Sequence, residues 1–345
     1  NNPTTHQKVE LGRLLFYDPI LSGNKDVSCA SCHHPEFGYA ESLPLSIGVG
    51  GIGLGENRYF TKPGEYPFTQ RNSQTLLNTS YNGIDQYGQY EPEHAPMFWD
   101  LRAEGLEGQA IHPIKQLEEM RGSSWQQETI TAEIVSRLNA NSEYRGLFTK
   151  AFVVGDIITE KLLFKALGSF QRSLIANNSK FDQYIRGDEE AMTSTEKKGM
   201  KLFIAVGCAG CHNGPMLSDF KPHVLGAPDN EFVAKIDSGY QKRFAFRTPS
   251  LRNLRFTAPY MHSGKIESLR SVLMFYEDLK NKALPSIHVT KGQLDPLAKA
   301  IDLQFSDIPF IIEFLNTLND DQYDRKIPST VPSGLAVGGA IKLAN

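Results

Sequence analysis

The four cysteines of this 345-residue chain stand in two identical patterns, Cys29-Ala30-Ser31-Cys32-His33 and Cys208-Ala209-Gly210-Cys211-His212. In a Cys-x-x-Cys-His motif the thiols can form thioethers to the vinyl groups of a haem, and the adjacent imidazole is placed beneath the iron as its proximal ligand. The pattern therefore implies two covalently bound haem c groups, one on Cys29, Cys32 and His33, the other on Cys208, Cys211 and His212. Other uses of four cysteines fit less well. Compact zinc ribbons separate their cysteine pairs by roughly 15 to 20 residues, whereas the second pair here begins only at Cys208. A redox dithiol needs no following histidine and sits in a βαβ context that this sequence lacks.

Each motif needs a helix to present it. Leu11-Gly12-Arg13-Leu14-Leu15-Phe16 precedes the first and Lys198-Gly199-Met200-Lys201-Leu202-Phe203 the second, a weak repeat that reads as two helices leading into haem loops. Thr193 and Glu196 have the spacing of a capping box at the start of the second helix. Helical periodicity is clearest at Leu162, Leu163, Leu167, Phe170 and Leu174, and again at Phe310, Ile311, Phe314, Leu315 and Leu318. Strand-like alternation is scarce. The expected fold is mostly α: two c-type cytochrome domains, each carrying one covalent haem, with long loops. Residues 1–178 form the N-terminal haem domain, 179–325 the C-terminal one, and 326–345 a surface tail. Residues 43–70, rich in Gly and Pro, and residues 215–248 read as loops. Gly48-Val49-Gly50-Gly51-Ile52-Gly53 matches the dinucleotide fingerprint literally, but Asn57, Pro63, Gly64 and Pro67 leave no room for the helix that fingerprint needs.

Bulk properties narrow the class. A net charge of −3 gives no basic field for nucleic acid. No run approaches the ~20 apolar residues of a membrane span. The start at Asn1-Asn2-Pro3, with neither Met nor apolar leader, reads as a trimmed export product. Together with covalent haem attachment this points to a periplasmic or otherwise exported protein.

Between and after the motifs stand Arg71-Asn72-Ser73, Phe98-Trp99-Asp100, Gln109-Ala110, Glu119-Met120, Phe246-Arg247-Thr248-Pro249-Ser250-Leu251-Arg252-Asn253 and Thr257-Ala258-Pro259-Tyr260-Met261-His262. In this order, from about residue 7 to residue 320, the chain resembles the bacterial dihaem cytochrome c peroxidases, including the MauG-like relative that matures tryptophan tryptophylquinone in methylamine dehydrogenase. The resemblance implies that the His33 haem meets peroxide while the His212 haem stores or relays electrons. It makes Glu119 the distal acid–base group, with Gln109 beside it, although Glu119 next to Glu118 would by itself read as solvated surface charge. It places Trp99 between the haems, where an aromatic ring can carry an electron as well as fill the core. It further assigns Asn72, Thr257 and Pro259 to a calcium ion between the domains, a hard cation suited to oxygen ligands. Arg247 and Arg252 are candidates to pair with haem propionates, since guanidinium suits carboxylate.

Two departures from the common family pattern shift the expectation. Many of these peroxidases carry a Ser-Ile-Gly-His-Gly segment whose histidine blocks the first iron, but Ser46-Ile47-Gly48-Val49-Gly50 has valine there. Valine cannot ligate iron, so the first haem is expected to be five-coordinate and high-spin, and to take peroxide without prior reduction. His112 and His94 remain as substitute ligands or as loop histidines. The second departure is Tyr276, fourteen residues after His262, where most members have methionine and the quinone-maturing relative has tyrosine. Met274 competes for this role. Leu269, Val272, Leu273 and Tyr276 share one helical face, however, whereas Met274 falls with Glu267, Arg270 and Glu277. Tyr276 is thus expected to point inward, as a ligand or as core. A phenolate ligand favours ferric iron and lowers the potential of the second haem.

The leading expectation is an oxidoreductase that reduces hydrogen peroxide at the open N-terminal haem, with electrons from an outside small redox protein relayed through the C-terminal haem. One alternative is peroxide-driven oxidation of a protein substrate, as in the MauG-like relative; another is a non-catalytic dihaem electron carrier. The loop from Gly51 to Gln70, with Tyr59, Phe60, Tyr66 and Phe68, reads as a lid or a partner surface. A homodimer is compatible with all of these.

Overall fold

The computed structural model describes residues 2–153, 157–233, 235–279 and 283–341. Among these residues eleven α-helices dominate: α1 (His6–Tyr17), α2 (Gly105–Gln109), α3 (Ile111–Lys115), α4 (Ile130–Ala140), α5 (Ser142–Phe152), α6 (Glu160–Ser173), α7 (Lys180–Ile185), α8 (Ser194–Ala205), α9 (Leu269–Asp278), α10 (Pro296–Ala300) and α11 (Ile308–Asn316). The mostly helical fold is as expected. Side-chain caps explain where several helices begin. Thr5 accepts from the Lys8 amide and Thr159 from the Leu162 amide, while Thr193 and Glu196 form the reciprocal capping box read from their spacing.

The apolar faces gather into two main cores. The first joins Leu11, Leu15 and Phe16 of α1 to Leu163, Leu167 and Phe170 of α6, with Ile130, Ile134, Tyr144 and Phe148 around them. The second joins Phe203 of α8 and Leu273 of α9 to Ile308, Ile311, Phe314 and Leu315 of α11. The weak repeat before the two motifs has a physical basis. A Cβ on Gly12 would lie 2.1 Å from the Ala166 carbonyl oxygen of α6, and one on Gly199 would lie 1.9 Å from the Phe310 carbonyl oxygen of α11. Each motif-bearing helix therefore touches its partner helix backbone to backbone at the same place in the repeat. Gly199→Val is expected to force α8 and α11 apart and to destabilise the protein by about 1–3 kcal/mol, read as a lower thermal midpoint. An unchanged midpoint would show that the helices can separate without loss.

Short antiparallel ladders order both segments expected as loops, 43–70 and 215–248, and a third ladder lies between them in the chain. β1 (Gly51–Ile52) pairs with β2 (Tyr59–Phe60), β3 (Pro96–Met97) with β4 (Ala103–Glu104), and β5 (Pro222–Val224) with β6 (Ala245–Arg247). The chain end also departs from expectation. Residues 326–341 are not a surface tail: Val331 is buried in the first core, Leu335 and Val337 pack on it, and the Gly338 amide donates to the Tyr17 carbonyl at 2.7 Å. The apolar residues spaced through this Pro- and Gly-rich stretch carry it back over the first motif, where Ser31 Oγ donates to the Gly338 carbonyl. Residues 342–345 of the expected tail lie outside the described residues.

Candidate active site

Both motifs open onto one cavity of about 550 Å³. Its walls include Cys29, Cys32 and His33 from the first motif and Cys208, Cys211 and His212 from the second. Each motif is a single 3₁₀ turn, Cys29–Ser31 and Cys208–Gly210, closed by a bond from the histidine amide to the first cysteine's carbonyl. The two imidazoles are held alike. His33 Nδ1 lies 3.0 Å from the Tyr39 carbonyl and His212 Nδ1 lies 2.9 Å from the Leu217 carbonyl. A carbonyl only accepts, so Nδ1 carries the proton and Nε2 keeps its lone pair for a metal. Burial lowers the pKa of both rings, which keeps them neutral. Burial also pushes the Cys29 and Cys208 thiols up to about 12. Free thiols so disposed are poor redox nucleophiles.

Gln109, at the end of α2, and Glu119 both line this cavity. Glu119 sits in a π-helical turn, Leu117–Arg121, the kind of local irregularity that re-aims a side chain. Burial, reinforced by the Glu118 charge and opposed by Arg102, raises its carboxyl to about 7. A glutamate that would read as surface charge is thus turned inward and poised near neutrality.

Trp99 stands on the wall, its indole N–H donating to the Asn72 carbonyl at 3.1 Å. Its ring meets His262 edge-on at 6.5 Å, and His262 stacks on Phe246 with ring centroids 3.5 Å apart. Burial lowers His262 to about 4, so this aromatic group is uncharged at neutral pH. Phe246 and His262 stand within the sequence motifs, but no local feature of the sequence gives either a role.

The two candidate arginines differ. Arg247 is 5% exposed; its Nε donates to the Phe98 carbonyl and Nη2 to Gln74 Oε1. Burial lowers it to about 10, and among the described residues no carboxylate pairs with it. A buried guanidinium facing a cavity without a protein anion fits a carboxylate supplied by a bound group. Arg252 also reaches the cavity, but its guanidinium is paired with Asp182 of α7 at 2.9 Å and with the Pro215 carbonyl.

Asn72, Thr257 and Pro259 all line the cavity. The Asn72 side-chain amide donates to the Leu43 carbonyl, and among the described residues the Thr257 and Pro259 carbonyls accept no backbone hydrogen bond. Tyr276 lines the cavity on the side of the second motif, its phenol pushed well above the usual range by burial, then by Cys208 and Cys211. Met274 is 38% exposed and points to a separate groove beside Phe275 and Leu279. Val49 is fully buried in the first core, and its amide donates to the Glu118 carbonyl. Neither His112, packed edge-on against Phe98, nor His94, exposed beside Glu104, lines the cavity.

Two further charged groups escaped the sequence reading. Arg71 forks onto Asp237 at 2.6 and 2.8 Å and reaches Asp100 at 2.8 Å. His223 bridges Asp219 and Asp295, and the Asp219 bond in particular raises it to about 11. Asp100, Asp237 and Asp295 are too distant in sequence for any local pattern to announce them, whereas Asp219, four residues before His223, was the one local signal on offer.

Two haem-attachment loops facing one cavity, each with a preset proximal imidazole, together with a near-neutral glutamate and an inward tyrosine, define a dihaem haem-protein of the peroxidase class. The profile of the di-haem cytochrome c peroxidase family matches residues 6–190. The chain is 35% identical over 280 residues to the methylamine utilization protein MauG of Methylorubrum extorquens, covering 80% of this chain and 70% of that one. It is 32% identical over 283 residues to the cytochrome c551 peroxidase of Pseudomonas aeruginosa, covering 79% and 72%. A solved MauG-like protein associated with microbial copper homeostasis superposes with a TM-score of 0.73 at 29% identity, over 92% of this chain and 91% of that one. The diheme peroxidase BthA of Burkholderia thailandensis shares the fold at 20% identity, with a TM-score of 0.70 over 97% and 91%. The chain belongs to the di-haem cytochrome c peroxidase family. No helix among the described residues is long and apolar enough to cross a membrane.

Proposed function

We propose that this protein reduces hydrogen peroxide to water in an exported compartment, drawing electrons from a small redox protein. The observation that carries the reading is the placement of Glu119 and Gln109 in the same cavity as the Cys29-x-x-Cys32-His33 loop. When bound, haem on the first motif supplies the iron that takes peroxide and haem on the second the electrons.

The protein's own part is binding, orientation and proton movement. His33 and His212 each offer a neutral Nε2, fixed in direction by the Nδ1 bond to a carbonyl. Arg247 would pair with a haem propionate, and Arg252, engaged by Asp182, stiffens the wall. Glu119 as carboxylate takes a proton from one peroxide oxygen and returns it to the other as the O–O bond breaks, while the Gln109 amide orients the molecule. Two electrons and two protons then balance the conversion of one peroxide to two waters. Val49 cannot ligate iron, and His94 and His112 lie off the cavity, so an iron held by His33 would have room for peroxide without prior reduction of the protein. Asn72, through its side chain, with the carbonyls of Thr257 and Pro259, would hold a calcium ion that ties the two halves of the cavity together.

The test is steady peroxide consumption by the haem-loaded protein with a reduced small cytochrome as donor. Turnover starting from the fully oxidised protein, and its loss on calcium chelation with recovery on calcium addition, is the expected result. A low-spin first haem with no peroxide consumption would overturn the reading in favour of an electron carrier.

The inward position of Tyr276, with Met274 outside, favours a second reading. A phenolate ligand to the second haem would suit peroxide-driven oxidation of a partner protein. Tryptophan or tyrosine oxidation in an added protein substrate, without a small donor, separates the two.

A further inference from the structure

Arg58 lies five residues past the Gly48–Gly53 run that matches the dinucleotide fingerprint, and nothing in the proposed chemistry uses it. Its side chain is fully buried. The guanidinium nevertheless spends its donors on three carbonyls of one loop: Nε on Ile47, Nη2 on Gly48 at 2.9 Å and Nη1 on Gly53 at 2.9 Å. Glu41, 1% exposed, faces it at 3.9 Å, and the Asp26 carboxylate also feels its charge. A Cβ on Gly51 would lie 2.9 Å from Nη2, so glycine there makes room for the fork.

The clamped loop bears directly on the distal turn. A Cβ on Gly48 would lie 2.2 Å from the Glu118 carbonyl oxygen and 2.8 Å from the Glu119 Cα. The next amide, Val49, donates to the Glu118 carbonyl at 3.1 Å. From another loop the Gly23 amide donates to the Met120 carbonyl, and a Cβ on Gly23 would run into Arg121. The π turn that carries Glu119 is thus touched by two loops through their backbones. In the Gly48 loop Arg58 supplies three side-chain hydrogen bonds, and Thr61 Oγ1 adds one to the Gly50 carbonyl.

We propose that Arg58 is a positioning residue for Glu119: by clamping the carbonyls of residues 47–53 it keeps Gly48 pressed on the π turn and so fixes where the Glu119 carboxyl enters the cavity. This rests on the reading of Glu119 as the distal acid–base group. The groups facing Glu119 itself are Glu118, Arg102 and the Cys32 thiol; Arg58 acts on it through the backbone. Lysine, a point charge with no planar fork, cannot span the three carbonyls.

The experiment uses the haem-loaded full chain with Arg58→Lys, Gly48→Ala and Glu119→Gln. Hydrogen–deuterium exchange is followed in peptides covering 46–53 and 116–122, alongside kcat/KM for hydrogen peroxide. Arg58→Lys is expected to speed exchange in both segments and to lower kcat/KM by about 10- to 100-fold, with little further loss in the Glu119→Gln background. Gly48→Ala, which retains the clamp but displaces residues 118–119, is expected to give the same kinetic loss. Faster exchange confined to 46–53, or full additivity with Glu119→Gln, would overturn the proposal. If Arg58→Lys fails to load haem, Gly48→Ala decides: unchanged exchange in 116–122 with unchanged kcat/KM refutes it. Should Glu119→Gln alone leave kcat/KM intact, the role of Glu119 fails, while exchange in 116–122 still reports on the clamp.

Discussion

Glu119→Gln is expected to lower kcat/KM for hydrogen peroxide by about 10² to 10⁴, the usual worth of a positioned acid–base group. Glutamine keeps the volume and the hydrogen-bonding edge but cannot take the peroxide proton. The same carboxyl predicts the pH profile. Burial raises it from 4.5 to about 7, and peroxide deprotonation needs the carboxylate, so kcat/KM of the parent should rise through pH 7. In Glu119→Gln that limb should vanish. Stability moves the other way. With the folded pKa above the unfolded one, the fold bears no penalty below pH 4.5, a growing one from there to about 7, and the full penalty above it. Glu119→Gln should therefore melt at a higher temperature than the parent at pH 8, with the gap closing at pH 4. Loss of activity without the pH change would mean that Glu119 orients peroxide and moves no proton.

Tyr276→Met is expected to raise the reduction potential of the second haem by on the order of 100 mV, within the roughly 0.8 V that axial ligands span. A thioether favours ferrous iron relative to an anionic phenolate. The buried phenol resists ionisation without a metal, but the charge of bound ferric iron reverses that preference, as for other coordinating acids. Potentiometric titration followed by the haem bands reads the shift directly. Met274→Leu serves as the control and should leave the potential unchanged, because Met274 faces outward. An unaltered potential in Tyr276→Met would reduce the tyrosine to a packing residue. The substitution should also weaken any oxidation of a protein substrate relative to simple peroxide reduction, which connects the ligand to the choice between the two readings.

Much of the site was legible because it is written locally. A five-residue motif is enough to imply both haem attachment and the proximal ligand. A 3.6-residue period carries the inward face of α9, and that period alone separates Tyr276 from Met274. Glu119 is different: its own neighbourhood reads as surface, and only the resemblance marked it. The structure supplies the physical cause, a π turn, touched by two loops, that brings Glu119 onto the cavity wall together with Glu118.

What the sequence by itself determined was the two Cys-x-x-Cys-His motifs, the helices that lead to them and the glycine recurring in each; that Val49 stands where many relatives carry histidine came from the resemblance. Motifs, helices and glycines depend on residues close in the chain, whose spacing alone dictates geometry. Tertiary structure decided which distant groups meet. It opened both motifs onto one cavity, left Arg247 without a carboxylate partner among the described residues while giving Arg252 to Asp182, and folded residues 326–341 back onto the first core. It also buried Arg58 among carbonyls of its own loop. Such pairings follow from how apolar faces bury against one another and from where the buried polar groups left behind find partners, and no local spacing encodes either.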